Sequence, residues 1–151
     1  MNWAGNFSMK RTFAAMSRIL AIDFGMKRTG LAISDPLKMI ANGLDTVPTV
    51  ELMGRLHAIC KEKPFDCVVV GLPKRMDGSE SAIEQNIKLF VESLAKEFPD
   101  LRIDRLDERF TSKIAMQTML AMGTKRSDRR EKGNVDKISA TLLLQEYLNK
   151  S

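Results

Sequence analysis

One histidine and two cysteines are all that these 151 residues offer of the imidazole and thiol ligands that bind transition metals. A lone His57 cannot build a histidine-rich zinc site, and its position in a helical pattern reads as helix surface. Cys60 and Cys67 have neither the spacing of a metal pair nor that of a disulfide framework. Cys60 falls in a helical segment and Cys67 in a strand, so both read as buried thiols of a reducing cytoplasm. No apolar run approaches the roughly 20 residues that a helix needs to cross a bilayer. Aromatics make up 6% of the chain, too few and too scattered for a base-stacking platform. There is no internal repeat and no inter-domain linker.

What remains is an ordinary globular composition, long enough for one domain with a real core. The net charge is +5, with a pI near 9.4, which favours a polyanionic partner. Part of the excess sits in residues 1–15, which carry Lys10 and Arg11 and no acid; without them 22 basic face 19 acidic residues. That leader lacks the apolar centre of a secretory signal. It reads as a disordered extension or an upstream start, with a transit peptide less favoured, and leaves 16–151 as the single domain.

Strand and helix periods alternate along that domain. Ile19-Leu20-Ala21-Ile22 is an apolar strand ending in Asp23, and Leu31-Ala32-Ile33-Ser34 follows a turn bounded by Gly25 and Gly30. Leu44–Val47 predicts a third strand, ended by Pro48. Residues 49–63 have helical spacing, with Val50, Leu52, Met53, Leu56, Ile59 and Cys60 as the apolar set. Asp66-Cys67-Val68-Val69-Val70-Gly71 is uninterrupted, as in a strand buried on both faces. A polar loop, 72–80, precedes a helix predicted over Ser81–Phe98, and Leu101–Asp107 reads as a fifth strand. A Met-rich helix is expected over Ser112–Met122, stopped by Gly123. The charge run Thr124–Gly133 has five basic and two acidic residues, and Asn134 is a plausible N-cap for a last helix reaching about Leu148. The order predicts an α/β domain with a mixed sheet.

Carboxylates stand where these elements do not require them. Asp23 closes an apolar strand, although a buried acid is costly unless paired or bound to a metal. Asp107-Glu108 ends the fifth strand. Asp136 lies in the first turn of the last helix, on the face of Ala140, Leu143 and Tyr147 that should pack on the sheet. Each has a plain structural explanation: strand-end polarity for the first two, complementing the helix dipole for Asp136. Their joint occurrence points further, to a cluster of hard oxygens that stays ionised only around cations. Without histidine or cysteine such a cluster selects Mg²⁺ or Mn²⁺. Two such ions about 3.5–4 Å apart suit phosphodiester displacement.

The motifs Ile22-Asp23-Phe24-Gly25 with Arg28-Thr29-Gly30, Val70-Gly71-Leu72-Pro73 with Met76-Asp77-Gly78, Asp107-Glu108-Arg109-Phe110-Thr111-Ser112, and Val135-Asp136-Lys137-Ile138-Ser139-Ala140 together resemble the YqgF/RuvX family. These are pre-16S rRNA nucleases and Holliday-junction-resolvase-like proteins of the RNase H-like superfamily. Order, spacing and length match from about Met16 onward; the leader is not covered. The resemblance implies a five-stranded mixed sheet with strand 2 antiparallel and helices on both faces. It implies Asp23, Glu108 and Asp136 as catalytic metal ligands, Asp23 bridging two Mg²⁺ or Mn²⁺ ions, with 5′-phosphate and 3′-hydroxyl products. Strand alternation alone does not choose between Asp107 and Glu108; the family pattern selects Glu108, with Asp107 in reserve.

Basic residues around that site would hold a nucleic acid by its phosphates: Lys27 and Arg28, Lys74 and Arg75, Arg109, then Arg126, Lys132 and Lys137. The run 124–133 reads equally as a solvated loop. The expected activity is a cytoplasmic endonuclease that matures the 5′ end of precursor 16S rRNA in ribosome biogenesis. A resolvase of four-way DNA junctions is the alternative, and it would need a symmetric dimer, whereas the expectation here is a monomer or weak homodimer. A non-catalytic RNA-binding protein is a further reading. An actin-like ATP-binding domain shares the Asp-x-Gly turn, but the chain is short for its two lobes.

Overall fold

The computed structural model describes residues 17–75, 77–108 and 132–150, with side chains of the last segment from Lys137 onward. In chain order the elements are β1 (Arg18–Asp23), β2 (Arg28–Ser34), β3 (Ala41–Pro48), a 3-10 turn (Thr49–Glu51), α1 (Leu52–Glu62), β4 (Phe65–Leu72), α2 (Glu84–Glu97), β5 (Arg102–Asp107) and α3 (Lys132–Lys150). The leader, the helix expected over Ser112–Met122 and most of the charge run 124–133 lie outside the described residues, as do Arg109 and Arg126.

The strands form one sheet in the order β3-β2-β1-β4-β5. β1 pairs antiparallel with β2 and parallel with β4; β2–β3 is antiparallel and β4–β5 parallel. This is the expected mixed sheet, with β2 running against its neighbours. β4 is an inner strand flanked by parallel strands, which explains its unbroken Val68-Val69-Val70 run: both faces are covered. Leu20, Ile22, Leu31, Val68 and Val70 face one way and meet Leu52 and Leu56 of α1 and Ile87 and Leu94 of α2. Ile19, Ala21, Ala32, Cys67, Val69 and Leu106 face the other way and meet Ala140, Leu143 and Leu144 of α3.

Several boundaries differ from the sequence reading. β2 starts at Arg28, so Gly30 is inside a strand, opposite Asp23, rather than at the edge of a turn. β3 extends back to Ala41; its Asn42-Gly43 are tolerated because it is an edge strand with a register shift opposite Leu31/Ala32. α2 begins at Glu84, after a turn closed by Glu84 N–H to Ser81 C=O. α3 begins at Lys132, which places Asn134 inside the helix and not at its N-cap. Its downstream apolar face packs on the sheet and supports it. Cys67 is buried and Cys60 half-buried, both free thiols. His57 is on the exposed side of α1, stacked on Phe98 and 3.1 Å from Glu97.

Candidate active site

β1, β4 and β5 are parallel, so their C-terminal ends share one edge of the sheet; there the neighbours of β1 lie on opposite sides, where open α/β sheets form ligand crevices. Alternation fixes which side chains meet. Asp23 follows Ile19 and Ala21 onto the face covered by α3, and Glu108 follows Leu106 onto the same face. Between them stands β4, whose residue on that face is Gly71. β1 and β4 are in register at Ile22 and Val70, one residue before Asp23 and Gly71, and Gly71 is opposite Leu106 of β5. On the other side of Asp23 its partner is Gly30. Two glycines thus flank the acid and leave the sheet bare around it.

Glu108 fills that gap. Its N–H donates to Leu72 C=O at 3.3 Å, and its carboxyl lies flat over Gly71, where a Cβ would stand only 2.6 Å from Cδ. The carboxyl reaches across β4 and shares a hydrogen bond with Asp23. Burial, then the Asp23 charge and that hydrogen bond, push Glu108 up to about 9, against the lowering effect of nearby Arg105. At neutral pH Glu108 is therefore held in its protonated form beside Asp23. Glu108 Oε2 is buried with no hydrogen-bond partner. A buried, unpartnered carboxylate oxygen over a glycine cradle, beside a second acid, is a donor set that a hard divalent cation fits. Asp107 alternates onto the opposite face, so Glu108 is the residue that meets Asp23.

Asp136 belongs to α3, four residues before Ala140, which is buried against the sheet. Its side chain lies outside the described residues, as does that of Lys132. Among the described residues, no group of three acids, histidines or cysteines forms a complete metal site.

The same edge carries basic residues. Lys27 is exposed in the β1–β2 turn and Arg28 opens β2. That turn is pinned to the end of β3: Thr49 N–H donates to Lys27 C=O at 2.9 Å, and Thr49 Oγ1 to Gly25 C=O at 2.6 Å. Gly25 is required there, since a Cβ would collide with the Arg28 carbonyl. Lys74 and Arg75 follow β4 in a loop closed by the Lys74–Glu80 bridge and by Arg75 N–H to Ser79 C=O, 2.8 Å. Lys137 is exposed but lies back from that edge, along Gly43 of β3, which pairs with Ala32 in mid-sheet; a methyl group on Gly43 would approach its Cε to 2.9 Å.

Sequence reasoning missed three parts of this arrangement. Gly30 and Gly71 read as strand boundaries, yet they are the positions opposite the acid; an apolar run ending in glycine beside an Asp-bearing strand is the signal that could have shown it. Glu84, in the first turn of α2, is 2% exposed and forms a two-pronged ion pair with Arg105 at 2.7 and 3.0 Å. Nothing local in the sequence marks that pairing.

The chain as a whole is similar to known proteins. The family model described as RuvX, Holliday junction resolvase, matches residues 17–150. A protein of Bacteroides thetaiotaomicron named "Putative pre-16S rRNA nuclease" is 52% identical over 133 residues, covering 88% of this chain and 96% of its own length. One of the same name from Christiangramia forsetii is 50% identical, covering 88% and 98%. Among solved structures, the yeast mitochondrial Holliday junction resolvase Ydc2 superposes with a TM-score of 0.53 at 13% identity, over 88% of this chain and 78% of its own. Thermus thermophilus RuvC does so with a TM-score of 0.50 at 17% identity, over 88% and 95%. At such identities these two speak for the fold alone.

Proposed function

The chain belongs to the RuvX family, and from that premise we propose that it is a metal-dependent endonuclease hydrolysing phosphodiester bonds, with the 5′ region of precursor 16S rRNA as its substrate. The observation that carries the chemistry is the Asp23–Glu108 pair over Gly71, with one carboxylate oxygen buried and unpartnered. The substrate reading is supported by the names of relatives at about half identity over nearly their full length.

Asp23, Glu108 and Asp136 would hold Mg²⁺ or Mn²⁺. Bound there, such ions activate water for attack on phosphorus and stabilise the leaving oxygen. The chain's own part is to place the acids and the substrate. Asp23 and Glu108 arrive from two parallel strands held in register by β4, so their separation is set by the sheet rather than by a loop. Glu108 would have to give up its proton to hold a cation, so metal affinity would rise with pH. Lys27, Arg28, Lys74 and Arg75 surround the same strand ends and would take the phosphates on either side of the scissile bond. Arg109, Arg126, Lys132 and Lys137 extend that basic surface in the proposal.

The family description favours a second substrate, four-way DNA junctions, with the same acids. Purified protein with Mg²⁺ or Mn²⁺ is offered precursor 16S rRNA ends and four-way junctions side by side, with Asp23→Asn and Asp136→Asn as controls. Cleavage of the rRNA by wild type and loss of cleavage in both variants is the expected result. Junction cleavage alone replaces the substrate reading. Equal cleavage by wild type and variants removes the assigned site, and binding without any cleavage leaves a non-catalytic RNA-binding protein.

A further inference from the structure

Beneath Gly71, on the face of the sheet opposite Glu108, lies Arg105. It follows Ile103 onto the side of α1 and α2, where Ile103 packs against that core. Every nitrogen of its guanidinium is engaged. Nη1 and Nη2 donate to the two oxygens of Glu84 at 3.0 and 2.7 Å. Nε donates to Val70 C=O at 3.2 Å and Nη2 also to Gly71 C=O at 2.9 Å. The carbonyls it grips belong to the last turn of β4 before the loop, and Gly71 is the residue on which the Glu108 carboxyl rests.

We propose that Arg105, locked by Glu84, is a positioning residue for the metal site: it braces the Val70-Gly71 backbone from below so that Glu108 keeps its place beside Asp23. The inference rests on the Asp23–Glu108 metal reading given above. Two physical points favour it over a purely stabilising ion pair. A fully buried acid such as Glu84 is an expensive way to stabilise a fold, and apolar side chains of similar volume are commonly neutral or better. A guanidinium without an acid on its own face would also be free to leave these carbonyls for water. The planar two-pronged grip of Glu84 holds it on the backbone instead. Replacing such supporting partners typically weakens metal binding by about 10–100-fold.

The test separates stability from metal binding. Mn²⁺ affinity is measured by titration calorimetry, and the urea midpoint in EDTA, for wild type, Arg105→Met, Glu84→Gln and the double variant Glu84→Leu/Arg105→Met. The double variant restores an apolar contact and should keep a midpoint close to wild type. The expected result is Mn²⁺ affinity lowered on the order of tenfold in the folded double variant and in each single variant that folds. Wild-type affinity in the folded double variant overturns the inference, as does a double variant that unfolds, since the pair would then be structural. Asp23→Asn is run alongside. If it binds Mn²⁺ like wild type, the site itself is wrong. If it does not while the other variants bind normally, only the positioning role fails.

Discussion

At the scale of single residues, the site depends on a glycine and an uncharged acid. Gly71→Ala puts a methyl group into the Glu108 carboxyl, which must leave its place over β4. Mn²⁺ affinity should fall about tenfold or more, with the urea midpoint in EDTA little changed; an alanine variant binding Mn²⁺ as tightly as wild type would show that the cradle is not needed. The Glu108 carboxyl also makes stability depend on pH. An acid raised from 4.5 to about 9 on folding favours the folded state where it is protonated. Its contribution is whole below 4.5 and is lost as the pH climbs toward 9. In EDTA the melting temperature should therefore drop through that window, and Glu108→Gln should flatten the drop. An unchanged slope in Glu108→Gln would assign the effect to another group.

These details also show what single residues reveal in a sequence. Asp23 was legible because a strand-closing acid is costly, and the family pattern selected Glu108. The choice between Asp107 and Glu108 on physical grounds needed the sheet, because only pairing shows that Glu108 shares a face with Asp23. Glu84 and Arg105 were silent, being 21 residues apart and joined only by the docking of α2 on β5.

At the scale of elements, α3 closes one face of the sheet, and Tyr147 fixes its far end. The Tyr147 hydroxyl donates to Asp104 of β5 and lies 3.6 Å from Cys67 Sγ of β4. Burial, with the bond to Asp104 next, holds the phenol above its ordinary value of 10.0. Tyr147 is the only tyrosine in the chain, so phenolate absorbance reads this one group. Its ionisation midpoint in the folded protein should exceed that of the urea-unfolded chain; equal midpoints would mean that the contact does not persist in solution. Since the neutral form is the one favoured, this support is complete below pH 10 and is lost above it. Tyr147→Phe should lower stability by roughly 1 kcal/mol in urea unfolding at neutral pH. Elements of this kind were the most legible part of the fold, because helix and strand periods are local. Their ends were less so: Gly30 read as the edge of a turn, the third strand as starting only at Leu44 and Asn134 as an N-cap, yet β2, β3 and α3 run through Gly30, Gly43 and Asn134.

At the scale of the molecule, charge and topology act together. Every strand that runs parallel to β1 ends at the edge that holds Asp23 and Glu108, and the turns leaving that edge carry Lys27, Arg28, Lys74 and Arg75. The modest net charge of +5 is thus less telling than its placement. If these side chains hold phosphates, affinity should fall linearly on a logarithmic salt scale, by about 0.9 per contact for duplex DNA and about 0.7 for a single strand. Lys74→Ala and Arg75→Ala should each reduce the slope by one such step, measured by fluorescence anisotropy with Ca²⁺ in place of Mg²⁺ to suppress cleavage. Lys61→Ala, at the end of α1 remote from the site, should leave it unchanged. A slope equally sensitive to Lys61 would mean diffuse attraction to a basic protein rather than a track. A slope insensitive to all three would move the track toward α3, where Lys137 lies along β3. The step size then distinguishes the substrates: losses nearer 0.7 fit an unpaired RNA end, and losses nearer 0.9 fit the arms of a DNA junction, about one contact at a time.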